Sequence, residues 1–255
     1  MKTMCKNLIT AFLLIGCWIA LGQQSQQNGA TNTVPAAAAP AKQLTPEEIQ
    51  VKIKELRADA EKGNPKAQNY LGDLYFSGRH VPKDLGEGIK WYQKSAEKGD
   101  AFGQFNLAVS FENGEGVTTN IATALKWYAK SARQGFPLAQ YNLGLLYIKG
   151  GKVRKNLSKG AELIQKAAWQ NDRLAQVAIA SLYLNGTGLK TNAVEACAWL
   201  GVVAKNEGFK NDQRVQYNYN EIQRSLNPEQ QAEANRKTEA LIADIAKRIQ
   251  KPIKQ

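Results

Sequence analysis

Apolar and small residues return along this chain in a fixed phase. Leu71 and Tyr75, Leu107 and Phe111, Leu143 and Tyr147, and Ile179 and Tyr183 stand four apart within each pair, and the pairs stand 36 residues apart. A spacing of four puts both members of a pair on one face of a helix. A small residue follows each aliphatic one, as Gly72, Ala108, Gly144 and Ala180, and lets a second helix come close. Three places after each aromatic stands Gly78, Gly114, Gly150 or Gly186. Glycine there suits the left-handed residue that ends a helix. A loop follows, with one apolar residue tucked in: Val81, Val117, Val153 or Leu189. Trp91, Trp127, Leu163 and Trp199 then mark a second helix, which closes on Ala96, Ala132, Ala168 or Ala204.

A period of this size predicts stacked helical hairpins, because no hairpin can bury both of its helices alone. The repeats are expected at 63–98, 99–134, 135–170 and 171–207, starting at Gly63, Gly99, Gly135 and Asn171. Thr45-Pro46-Glu47-Glu48 reads as a capped helix start, so residues 44–62 form an N-terminal capping helix. Residues 208–255 form C-terminal capping helices: a degenerate first helix from Asn211 to Leu226, then a helix from Asn227-Pro228-Glu229-Gln230 to about Gln250. That last helix carries Lys237, Lys247, Arg248 and Lys251 on or near one side, the mark of a polar cap or of an anionic-surface contact.

The unit resembles the Sel1-like repeat, a relative of the tetratricopeptide repeat. The pattern A-Q-x-x-L-G-x-L-Y-x-x-G stands here as Ala67-Gln68-Asn69-Tyr70-Leu71-Gly72-Asp73-Leu74-Tyr75-Phe76-Ser77-Gly78, and again from Ala139 to Gly150. Its partner pattern, A-x-x-W-Y-x-x-A-A, stands as Ala124-Leu125-Lys126-Trp127-Tyr128-Ala129-Lys130-Ser131-Ala132. The resemblance runs from residue 63 to about 204. The second repeat departs from it at Gly103, Ala108 and Ser110, and the third at Leu163. It implies an all-α fold: a right-handed α-α superhelix (solenoid) of about four 36-residue hairpins, with capping helices at both ends. It also implies a surface for partners, with roles in envelope signalling, assembly or host contact.

The first 22 residues read as a signal peptide. Lys2 and Lys6 precede the apolar stretch from Leu8 to Ala20, and Ala20-Leu21-Gly22 offers small residues for cleavage before Gln23. Leu14-Ile15-Gly16-Cys17 also resembles a lipobox, so lipid anchoring through Cys17 is the alternative. The apolar stretch is too short to span a bilayer comfortably, and no transmembrane helix is expected in the mature chain. Residues 23–43 are rich in Gln, Asn, Ala, Thr and Pro and read as a disordered linker. Lys and Arg outnumber Asp and Glu by 34 to 22. Loss of the leader leaves about +10, which favours acidic partners or anionic surfaces. The cations are spread over every repeat, so nucleic acid is not expected. Of three cysteines only Cys197 lies in the repeat body, in phase with Ile89, Leu125 and Ala161, and reads as a small core residue. The body is expected to be a monomer, periplasmic or secreted.

No catalytic, cofactor or metal constellation is found. His80 is the single histidine, in the loop after Gly78, and cannot build a multi-histidine zinc site. Asn113-Gly114-Glu115-Gly116 recurs in phase with other loops and is a turn, not a phosphate cradle. The tetratricopeptide geometry places first helices on a concave face. The inward positions there include Phe102, Phe105, Asn106 and Val109 in the second repeat, and Tyr141, Asn142, Leu145 and Ile148 in the third. These eight residues are the expected partner-binding groove, with Phe105, Val109, Tyr141, Leu145 and Ile148 as an apolar floor and the two asparagines bonding a bound backbone. The expected function is an exported, non-catalytic scaffold or adaptor of the bacterial cell envelope that binds a protein or peptide. The alternative is a binder of peptidoglycan or acidic lipid through the basic surface. The resemblance also admits a β-lactam-hydrolysing relative, against which stand the absent disulfides and nucleophile–base pair.

Overall fold

The computed structural model describes residues 45–250, and every regular element among them is helical. The leader, the linker and Lys251 lie outside the described residues. Eleven helices follow in order: α1 (Pro46–Glu61), α2 (Pro65–Ser77), α3 (Leu85–Glu97), α4 (Ala101–Asn113), α5 (Ile121–Arg133), α6 (Pro137–Lys149), α7 (Leu157–Ala168), α8 (Arg173–Asn185), α9 (Ala193–Lys205), α10 (Gln213–Ser225) and α11 (Pro228–Gln250). They form two compact units, one reaching to Ser131 and one starting at Ala132.

Helix ends follow the polar punctuation. Thr45 and Glu48 form a reciprocal capping box on α1. Asn64, Asp84, Asp100, Asn156, Asp172, Asn192 and Asp212 each accept first-turn backbone N–H bonds. Gly78, Gly114 and Gly186 end α2, α4 and α8 in the left-handed region, with φ of 70°, 76° and 68°, whereas Gly150, expected to do the same, ends α6 at φ 71° and ψ −142°, outside the left-handed helical region. His80 is also left-handed at φ 63°, where Gly116 and Gly188 stand in the second and fourth repeats. It is an exposed loop residue.

The turn between hairpins is closed by a side chain from the next hairpin. Gln68 Nε2 donates to the Ala60 carbonyl at 3.0 Å, eight residues back. The same bond runs from Gln104 to Ala96, Gln140 to Ala132 and Gln176 to Ala168, at 3.2, 3.2 and 3.3 Å. Each gives a second donor to a helix C-terminal carbonyl that already accepts the backbone N–H of Gly63, Gly99, Gly135 or Asn171 in the turn. This is the physical content of the Ala-Gln that opens the repeat.

In the N-terminal unit, α1, α2 and α3 share a core of Ala60, Ala67, Leu71 and Trp91. Ile89, Tyr92, Ala96 and Leu107 form the next layer, between α3 and α4. Gly72 makes the α2–α3 contact possible: a Cβ there would lie 2.6 Å from the Tyr92 ring. In the C-terminal unit, α9 is buried along nearly its whole length, including Cys197 at 0% exposure. Burial pushes the Cys197 thiol up to about 11. Helix α11 crosses α9 where Thr238 Oγ1 donates to the Ala198 carbonyl at 3.2 Å and Gly201 leaves room for it. Ion pairs Lys237–Glu195 and Lys205–Glu239 flank the crossing. Arg248 then lies over the Trp169 ring, 4.5 Å from its centroid.

Candidate partner-binding face

The first helices carry the expected site, and each unit presents its own part of it. In the N-terminal unit that face is built from α2 and α4. Phe102 is 52% exposed on α4, and Phe105, Asn106 and Val109 are half-buried below it. Phe105 also meets the Tyr128 ring, with centroids 5.9 Å apart. In the C-terminal unit Asn142, Leu145 and Ile148 are half-buried on α6. Ile148 lies against α7, where Gly160 has no side chain to obstruct it.

Two expectations need correction. Tyr141 is 1% exposed, so it belongs to the core and not to a solvent-facing floor. Asn106 does not hold its amide ready for a bound backbone. Its Nδ2 donates to Asn69 Oδ1 at 2.9 Å and to Asp73 Oδ1 at 3.2 Å. Three of the expected α11 cations have partners within the fold: Lys237 with Glu195 and Glu233, Lys247 with Asp244, and Arg248 with Trp169.

The Asn106 contact opens a polar network that apolar patterning does not reveal. Asp73 on α2 accepts from the Tyr92 hydroxyl at 2.7 Å and from Asn106, both on Oδ1. Its Oδ2 has a longer contact with Asn69 Nδ2 at 3.5 Å. Burial raises the Asp73 carboxyl to about 6; the Tyr92 bond and the charge of Arg79 pull the other way, and Asp100 adds to the rise. One hairpin on, the Tyr128 hydroxyl donates to Glu112 Oε2 at 2.7 Å. Both tyrosines sit at the phase where the later repeats hold Ile164 and Leu200. That switch from aliphatic to tyrosine, matched by Asp73 and Glu112 on the first helices, is the signal available in the sequence.

The order of helices, the left-handed glycines and the Ala–Gln closures recur in a single frame. Residues 65–100, 101–136, 137–172 and 173–201 each match the Sel1 repeat. The chain belongs to the Sel1 repeat family. Among solved structures, it is 31% identical to a Sel1 repeat protein from Oxalobacter formigenes, covering 64% of this chain and 47% of that one, with a TM-score of 0.56. It is 27% identical to a protective antigen of uropathogenic Escherichia coli with an SLR fold, covering 80% of this chain and 52% of that one, with a TM-score of 0.47. The chain thus spans about half the length of these two Sel1 repeat proteins. No curated protein matches it. Sel1 repeat proteins are generally protein–protein interaction scaffolds and typically non-catalytic. Among the described residues, no helix is long and apolar enough to cross a membrane, and no group of three or more His, Cys, Asp or Glu is placed to hold a metal ion.

Proposed function

We propose that this Sel1 repeat protein is an exported, non-catalytic adaptor of the bacterial cell envelope that holds a protein or peptide partner on its first helices. The observation that carries the reading is Phe102, a large aromatic more than half exposed on α4, with Phe105 and Val109 beside it. Aromatic side chains so placed are the usual energetic anchors of an interface. In the C-terminal unit, Leu145 and Ile148 are a separate candidate contact set. Helix α11 packs on α9, a second helix. Export rests on the leader, with Lys2 and Lys6 before Leu8–Ala20.

The test is capture from envelope extract by the full mature chain, wild type against Phe102→Ala with Val109→Ala. Tyr141 is left intact because it is core. A protein retained by the wild type alone, at low and high salt, supports the reading. Equal retention by both refutes it.

A second reading has its own observation. Lys149, Lys152, Arg154, Lys155 and Lys159 are all exposed around the α6–α7 loop, with no acidic residue between them. Such a loop would bind an anionic envelope ligand, peptidoglycan or acidic lipid. Binding that falls steeply with ionic strength and ignores Phe102 would favour it.

A further inference from the structure

The network around Asp73 is incomplete as a charge site. Tyr92 and Asn69 are almost fully buried, at 5% and 6% exposure, and both donate to the carboxylate. Asn106 reaches it from the next hairpin. Asp73 itself keeps some exposure on the first-helix face. Its Oδ1 takes two donors, whereas Oδ2 has one long contact. All the donors are neutral, and among the described residues no lysine or arginine nitrogen pairs with it. A carboxylate taken partly out of water in this way is costly unless a cation meets it.

We propose that Asp73, held by Asn69, Tyr92 and Asn106, is a receptor for one lysine or arginine side chain of the partner. The inference rests on the reading of the first-helix face as the partner site, and it adds the partner's chemistry. An ammonium or guanidinium would take Oδ2, the oxygen with only one long contact, as its acceptor and supply the charge that the neutral donors lack. The partner segment would therefore be basic next to an apolar residue that meets Phe102. That choice runs against the net charge of +12, which repels cations in general. Binding of a basic peptide here is thus a local property of one carboxylate and not of the overall field. Asp73 titrates near 6, with Arg79 attracting it and Asp100 repelling it, and Tyr92, Asn69 and Asn106 as its neutral neighbours. A bound cation favours the ionised form, so binding weakens as pH falls below about 6 and the midpoint of Asp73 drops when ligand is present.

The test titrates the full mature chain with capped Ala-Ala-Arg-Ala-Ala and its lysine and citrulline counterparts. The readouts are the side-chain amide signals of Asn69 and Asn106 and the carboxyl titration of Asp73. The expected result is a saturable shift with arginine or lysine and none with citrulline. Asp73→Asn should weaken binding about tenfold or more while the helical signal is kept. Equal binding of citrulline, equal binding by Asp73→Asn, or no saturable shift at 20 mM peptide overturns the proposal. If Asp73→Asn does not fold, the Asp73 midpoint decides alone: a midpoint unmoved by the arginine peptide overturns it. The Phe102-dependent capture is scored separately. Capture lost with Phe102 but indifferent to Asp73 leaves the partner face standing and removes only the cation receptor.

Discussion

Asp73→Asn should make this protein more stable at neutral pH, and the gain should vanish in acid. The carboxyl titrates at about 6 in the fold against 3.8 for its ordinary value. The folded state therefore binds the proton more tightly than the unfolded state. Stability falls as pH rises from about 4 to about 6, and the cost is complete above that. At about 1.4 kcal/mol for each tenfold difference in proton affinity, the full cost is about 3 kcal/mol. Asparagine keeps the shape and removes the charge. Its carbonyl oxygen can replace Oδ1 as acceptor for Tyr92 and Asn106. Its amide then faces Asn69 Nδ2, formerly 3.5 Å from Oδ2, and relieving that donor–donor contact by turning Asn69 over gives up the bond Asn69 Oδ1 accepts from Asn106. Allowing about 2 kcal/mol for this rearrangement and the lost Asn106–Asn69 bond, the net gain is about 1 kcal/mol at pH 7.5. Urea unfolding followed by far-ultraviolet circular dichroism at pH 4 and pH 7.5 reads the difference directly. A variant less stable than wild type at pH 7.5, or equally shifted at both pH values, would refute the account of Asp73 as a carboxylate short of charge compensation.

Two further outcomes test the placement of individual residues. Tyr141→Ala should cost about 3–5 kcal/mol, whereas Phe102→Ala should cost below about 1 kcal/mol, because only the first empties a buried site; urea midpoints of the two variants separate them. Cys197 should resist a thiol-specific disulfide reagent at pH 8 in the native protein and react at once in denaturant, since its thiol is buried and titrates near 11. Rapid native labelling would place it at the surface.

The hairpins were legible because their signals are local. Helix caps, left-handed glycines and the Leu–Tyr spacing each act within a few residues, and the observed helices α2 to α9 follow them. The face assignments were less legible. Helix α6 is apolar on every side, with Leu138, Tyr141, Leu143, Leu145, Leu146 and Ile148. No stripe there separates inside from outside. The phase that leaves Phe105 half-buried accordingly puts Tyr141 in the core. The Asp73 network joins positions on three helices, and Asn106 meets Asn69 from 37 residues away. Such a contact depends on how neighbouring hairpins register, which spacing within one helix does not encode. The loop position of His80 is legible after Gly78, but its left-handed backbone shows only by alignment with Gly116 and Gly188.

The glutamine closures have a consequence for where such an array can be lengthened or cut. Each one ties a carbonyl at the end of one helix to the first turn of the next, eight residues on. A splice between Ala96 and Gln104 would separate the two halves of the side-chain bond and leave the Ala96 carbonyl at most its turn partner, the Gly99 N–H. A splice in the loop from Gly78 to Asp84, or at its counterparts, leaves every closure inside one transferable piece. The exchangeable module of this chain is therefore a second helix with the first helix that follows it, and hairpins can be added or removed in that frame.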